Sequence, residues 1–152
     1  MRTTDAITVE RLRNISAFRG CSDKELRRID SLTHFVELPK GSVLCMQGAV
    51  GRQTFVVASG VADVLIDGIV VATVGPGSFV GEMSVLDCER RTATVVAQTA
   101  MTVIVMGPRE LEQLFFDFPQ VARTMLATVS GRLRLANRGR ALPQPRLATS
   151  EQ

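Results

Sequence analysis

The 152-residue sequence predicts a mainly β domain, an antiparallel barrel or jelly roll flanked by helices. Between residues 35 and 106, short apolar runs are punctuated by glycine at 41, 48, 51, 60, 68, 75, 77 and 81, as in many short strands joined by tight turns. On either side of that stretch apolar residues recur at helical spacing. The composition, 45% apolar and 22% charged, is that of an ordinary globular chain long enough for one domain with a real core.

The N-terminal part reads as short helices, with Val9 and Leu12 three residues apart. A second helix starts at Ser22-Asp23-Lys24-Glu25, a capping box in which Ser22 accepts from the Glu25 backbone N–H while the Glu25 carboxylate reaches back. Leu26, Ile29 and Leu32 then line one face. In the β region the firmest local signal is Asp67-Gly68 between Val64-Leu65-Ile66 and Ile69-Val70-Val71. A two-residue type I′ turn needs positive φ, and Asp-Gly supplies it.

After Met106 the period turns helical again. Pro108 suits a first helical position, and Leu111, Leu114 and Phe115 follow at helix spacing. Pro119 opens a longer helix in which Ala122, Leu126, Val129, Leu133 and Ala136 recur at alternating steps of four and three. That stripe suits either a homodimer through the 119–138 helix or packing against the barrel. Gly131 costs this helix about 1 kcal/mol relative to alanine, which implies a close backbone contact or a bend. The helix is expected to end near Asn137-Arg138-Gly139, giving a domain over 8–138 and a flexible tail over 139–152.

Several classes of function are excluded. The longest apolar runs, such as Phe55-Val56-Val57-Ala58 and Ile69-Val70-Val71-Ala72, are four residues long, far below the roughly 20 residues that cross a bilayer, and the first residues do not resemble a secretory signal. A cytoplasmic location without membrane contact follows as the expectation. Cys21, Cys45 and Cys88 fit neither a disulfide framework nor a metal knuckle and read as free thiols; Cys88 reads as a small loop residue. The net charge of +3 is concentrated in five arginines between Arg132 and Arg146, which would suit an acidic partner but equally complement a helix C-terminus and solvate a tail. His34, the only histidine, precedes a strand, and no Ser-His-Asp set, metal-ligand cluster or P-loop is present. The expectation is a protein that is not an enzyme and holds no metal or cofactor.

Candidate chemistry gathers at Gly77-Ser78-Phe79-Val80-Gly81-Glu82-Met83-Ser84-Val85-Leu86 and at Arg91-Thr92-Ala93-Thr94-Val95. A glycine-flanked turn entering one short helical turn leaves backbone N–H groups pointing the same way, an anion site. Glu82 can cap that turn or accept from a pair of donors such as a ribose hydroxyl. Arg91, entering from the next strand, brings a permanently charged planar fork matched to two phosphate oxygens.

These residues resemble the phosphate-binding cassette of the cyclic-nucleotide-binding domain family, which includes the catabolite activator protein, protein kinase A regulatory subunits and cyclic-nucleotide-gated channels. The resemblance extends over about residues 10 to 138, through Phe18-Arg19-Gly20-Cys21, Lys40-Gly41, Gln47-Gly48 and Ser59-Gly60. It implies a jelly-roll barrel with N-terminal helices, a short phosphate-binding helix and a long C-terminal helix. It also implies that Glu82 accepts from the ribose 2′-hydroxyl, that Arg91 pairs with the cyclic phosphate, and that backbone N–H groups of Gly81, Met83 and Thr92 complete the cradle, with Ser84 and Ala93 in the same binding set. The Thr92 hydroxyl is compatible with cyclic GMP as well as cyclic AMP. Asn137, at the far end of the long helix, either pairs with an adenine edge or caps the helix. The sequence departs from the family at Arg90, where many members carry proline, and in having no Tyr or Trp to stack on the base.

The function implied is a cyclic nucleotide sensor, cyclic AMP first and cyclic GMP second, that relays ligand through the C-terminal helix to a protein partner. Two alternatives are a DNA-binding regulator of the catabolite activator type lacking its own helix-turn-helix, and an interaction module that no longer binds nucleotide. Only about fourteen residues follow the long helix, too few for a helix-turn-helix, so nucleic acid is not the expected partner.

Overall fold

A computed structural model describes residues 3–81 and 90–127. Helix α1 (Thr3–Arg13) leads through a 3-10 turn (Ser16–Phe18) into α2 (Asp23–Ser31). The capping box forms as the sequence dictates: Glu25 N donates to Ser22 Oγ at 3.1 Å and Ser22 N to Glu25 Oε1 at 2.8 Å. Arg13 pairs with Asp23 across the connection. Val9, Leu12, Phe18, Leu26 and Ile29 are buried together, with Leu32 packed against them. Each such aliphatic or aromatic side chain contributes about 1.5–3 kcal/mol on leaving water.

Among the described residues eight strands follow: β1 (His34–Leu38), β2 (Val43–Cys45), β3 (Thr54–Ser59), β4 (Ala62–Ile66), β5 (Ile69–Val74), β6 (Phe79–Val80), β7 (Thr94–Ala97) and β8 (Met101–Met106). They form two four-stranded antiparallel sheets, ordered β1-β8-β3-β6 and β2-β7-β4-β5. This is the mainly β class with flanking helices that the glycine punctuation predicts. At the β4–β5 turn Asp67 has φ 52° and Gly68 φ 80°, the left-handed pair a type I′ turn requires.

The second arm of that hairpin, Ile69-Val70-Val71-Ala72, lies on the edge strand β5, with Ile69, Val70 and Val71 67%, 53% and 54% exposed. One sequence reading changes. His34 does not precede β1 but begins it, and is exposed.

Helix α3 (Pro108–Asp117) starts with its proline in the first turn and buries Leu111 and Leu114. Helix α4 begins at 119 and is described through 127. Within it Val121 and Met125 are buried while Leu126 is 59% exposed and Ala122 half-buried, so the packing stripe runs one residue ahead of the predicted one. Val129, Gly131, Leu133, Ala136 and the domain end at 138 lie outside the described residues, as does Cys88; Cys45 is buried and Cys21 is a free thiol.

The core has two parts separated by β3 and β8. Val56 and Ile104, paired across the ladder, face the helices, whereas Val57 and Val103, the next pair, face the second sheet. Period-two alternation therefore lets one pair of strands serve both sides.

Candidate functional site

Register places the site. Phe55 pairs with Val80, so the start of β3 and the end of β6 lie side by side at one end of the first sheet. Gly81, at φ 82°, turns the chain just past β6, and the two neighbouring carbonyls, Gln53 O and Gly81 O, face a common space. Arg91 fills it. Its NH1 donates to Gly81 O at 2.8 Å and its NH2 to Gln53 O at 2.7 Å.

The main chain of Arg91 belongs to the other sheet. It lies in the connection before β7, not in the strand itself, where Arg91 N donates to Ala49 O and Gly48 N donates to Arg91 O, both at 2.8 Å. These bonds continue the β2–β7 pairing beyond Cys45. The arginine thus crosses from the second sheet to the first. It is 7% exposed, and among the described residues no carboxylate stands within ion-pair distance of it. Two neutral carbonyls orient the guanidinium without cancelling its charge, an arrangement that is costly in a low-dielectric setting unless an anion shares it.

Glycine at two positions makes the seat. A Cβ at Gly51 would overlap Nε of Arg91, and one at Gly81 would overlap NH1 and approach Gln53 O to 3.0 Å. Arg91 opens onto a cleft of about 470 Å³ with apolar walls from Leu44, Val50 and Phe55 and a second cation, Arg52, among its lining residues. That volume falls in the roughly 300–1,000 Å³ range of small-molecule sites. A cleft of about 410 Å³ beside Glu37, Pro39 and Met101 carries no cation, so buried charge and not size singles out the first.

Of the residues singled out by sequence, Gly81 and Arg91 are brought into direct contact. Thr92 is exposed and Ala93 half-buried beside them. Glu82, Met83, Ser84 and Asn137 lie outside the described residues, together with Asp87 and Glu89. Arg90 donates through NH1 to Gly48 O at 2.9 Å. Sequence reasoning passed over Gln53, Ala49 and Gly51: the first two act through carbonyls, which every residue has, and Gly51 looked like one more turn glycine.

The sequence model of the cyclic nucleotide-binding domain matches residues 35–118. The chain belongs to that family. A cyclic nucleotide-gated potassium channel of Mesorhizobium japonicum is 32% identical over 91 residues, 60% of this chain and 25% of the channel. The cyclic AMP receptor protein of Thermus thermophilus is 31% identical over 125 residues, 79% of this chain and 58% of that protein. The chain therefore spans less than two thirds of either relative. Cyclic AMP-bound PfPKA-R superposes with a TM-score of 0.77 over 88% of this chain and 46% of that one at 19% identity, a likeness of fold. Within a cyclic nucleotide-binding domain, the Arg91 cleft sits inside the matched span. No helix among the described residues is long and apolar enough to cross a membrane, and no group of His, Cys, Asp or Glu there would hold a metal ion.

Proposed function

We propose that this domain is a non-catalytic, cytoplasmic cyclic nucleotide sensor whose ligand phosphate is held by Arg91. The observation that carries the reading is the buried guanidinium held across two sheets, with its charge unmatched by a carboxylate among the described residues, at the wall of a cleft of small-molecule size. In this reading the backbone N–H groups of Gly81, Met83 and Thr92 complete the phosphate cradle, Ser84 and Ala93 belong to the same shell, and Glu82 accepts from the ribose. Asn137 either reaches the base or caps its helix. Cyclic AMP is the first candidate ligand, in keeping with the names of the relatives, and cyclic GMP the second. The binding unit is residues 8–138, with 139–152 as a tail. The helix from residue 119 relays occupancy to a protein partner by packing differently with and without ligand.

Calorimetric titration with each nucleotide tests this. The parent should bind at least one, and Arg91→Ala should lose roughly 2–5 kcal/mol of affinity, as expected when one partner of a buried charge pair is truncated. Equal binding by the variant, or no binding of either nucleotide by the parent, would overturn the assignment.

A further inference from the structure

We propose that Gln47 is a positioning residue that joins the β4–β5 hairpin and Arg91 into one hydrogen-bonded unit, so that displacement of the hairpin tip displaces the guanidinium. Its relevance to ligand rests on reading Arg91 as the phosphate anchor.

The joint is built from three consecutive residues. The Gln47 side chain donates through Nε2 to Asp67 Oδ1 at 3.0 Å and accepts through Oε1 from Asp67 N at 2.8 Å. Its own backbone N donates to Thr94 Oγ1 at 2.9 Å. Gly48 N donates to Arg91 O, and Ala49 O accepts from Arg91 N. One face of the 47–49 segment therefore grips the hairpin turn while the other grips the backbone of the arginine.

The chemistry fits an amide and no other group. Asp67 offers a carboxylate, which only accepts, and an N–H, which only donates; a carboxamide answers both at once, and the two partners fix which end of the amide faces which. Glutamate would set two acceptors against each other, and asparagine falls one methylene short. The tip also depends on this pair for want of apolar burial, because Ile69, Val70 and Val71 on β5 are exposed and β5 is an edge strand. Asp67 is held at φ 52°, which leaves its N–H turned away from the hairpin and toward Gln47.

The test is an exchange of partners. Gln47→Glu should speed hydrogen–deuterium exchange, without nucleotide, both in peptides covering residues 64–70 and in those covering 90–95. It should weaken nucleotide binding about tenfold, the scale of losing hydrogen bonds to a charged partner. Adding Asp67→Asn restores a donor opposite the new carboxylate, and asparagine tolerates the left-handed backbone, so the double variant should regain both exchange protection and affinity. A plain packing role would not be rescued by this swap. Faster exchange confined to 64–70 with 90–95 unchanged would refute the joint, as would undiminished affinity in Gln47→Glu. If the parent binds neither nucleotide, the sensor reading fails by itself and the exchange measurements still decide whether Gln47 couples the two segments.

Discussion

Gly51 and Arg91 are in such close contact that no side chain fits between them: a Cβ on Gly51 would lie against Nε, Cζ and NH2 of the guanidinium. The obstacle is the far end of a flexible side chain, so Gly51→Ala should still fold, at a stability cost limited to the hydrogen bonds that Arg91 gives up, about 1.5–3 kcal/mol. It should nevertheless move the guanidinium off its two carbonyls. Nucleotide affinity is expected to fall at least about tenfold, from hydrogen bonds to a charged group worth roughly 1.5–3 kcal/mol. Calorimetry beside a thermal melt separates the two effects.

Gly81→Ala should behave differently. Its φ of 82° is strained for alanine by about 1–2 kcal/mol, and the new Cβ would meet Gln53 O at 3.0 Å as well as Arg91. Both stability and binding are lost together. At roughly 2–4 °C per kcal/mol for a domain of this size, the melting temperature should drop further than in Gly51→Ala, which adds neither the backbone strain nor the contact with Gln53 O.

The two faces of α4 make opposite forecasts. Met125 is buried against the helical core, and Met125→Ala should cost about 2–5 kcal/mol. Leu126, 59% exposed on the adjoining stripe, should tolerate alanine within about 0.5 kcal/mol. Denaturant melts of the two variants decide which stripe packs.

Ser22→Ala removes the acceptor for Glu25 N and half of the capping box. The expected loss is about 1 kcal/mol, visible as an earlier melt, whereas Ser22→Thr should retain most of it.

The Cys21 thiol is raised above its ordinary pKa by burial and then by the Glu25 carboxylate, against a smaller lowering from the Gln120 amide. Only the thiolate is nucleophilic, so alkylation of Cys21, followed by peptide mapping, should be slower than that of a free thiol near pH 8. Glu25→Gln keeps a capping box while deleting the charge, and should speed the labelling. The same shift sets a stability trend. The fold holds the protonated form, so its contribution is complete below the usual thiol range and disappears as pH climbs through that range to the folded value.

What the sequence made legible was local. Ser22 and Glu25, Asp67 and Gly68, and Pro108 act on groups within four residues of themselves, and each does what its chemistry predicts. The cassette pattern marked Arg91 and Gly81 but neither the bond between them nor the partners Gln53 and Ala49, because a carbonyl leaves no trace in side-chain identity. In α4 the segment Val121-Ala122-Arg123-Thr124-Met125-Leu126 carries two adjacent apolar stripes, and only tertiary packing chooses between them. Likewise an apolar run such as Ile69–Ala72 states that a strand is plausible but not whether it ends a sheet or lies within one.

The alternating faces of β3 and β8 carry a mechanical consequence. Because Val56 and Ile104 seal the helical side of the same wall whose reverse is sealed by Val57 and Val103, stripping away α1 and α2 would wet one surface of strands still needed by the second sheet. The helical layer is thus no detachable appendage. Heat or denaturant should dissolve helices and sheets in one concerted transition, with circular dichroism and core-side probes tracing a single curve.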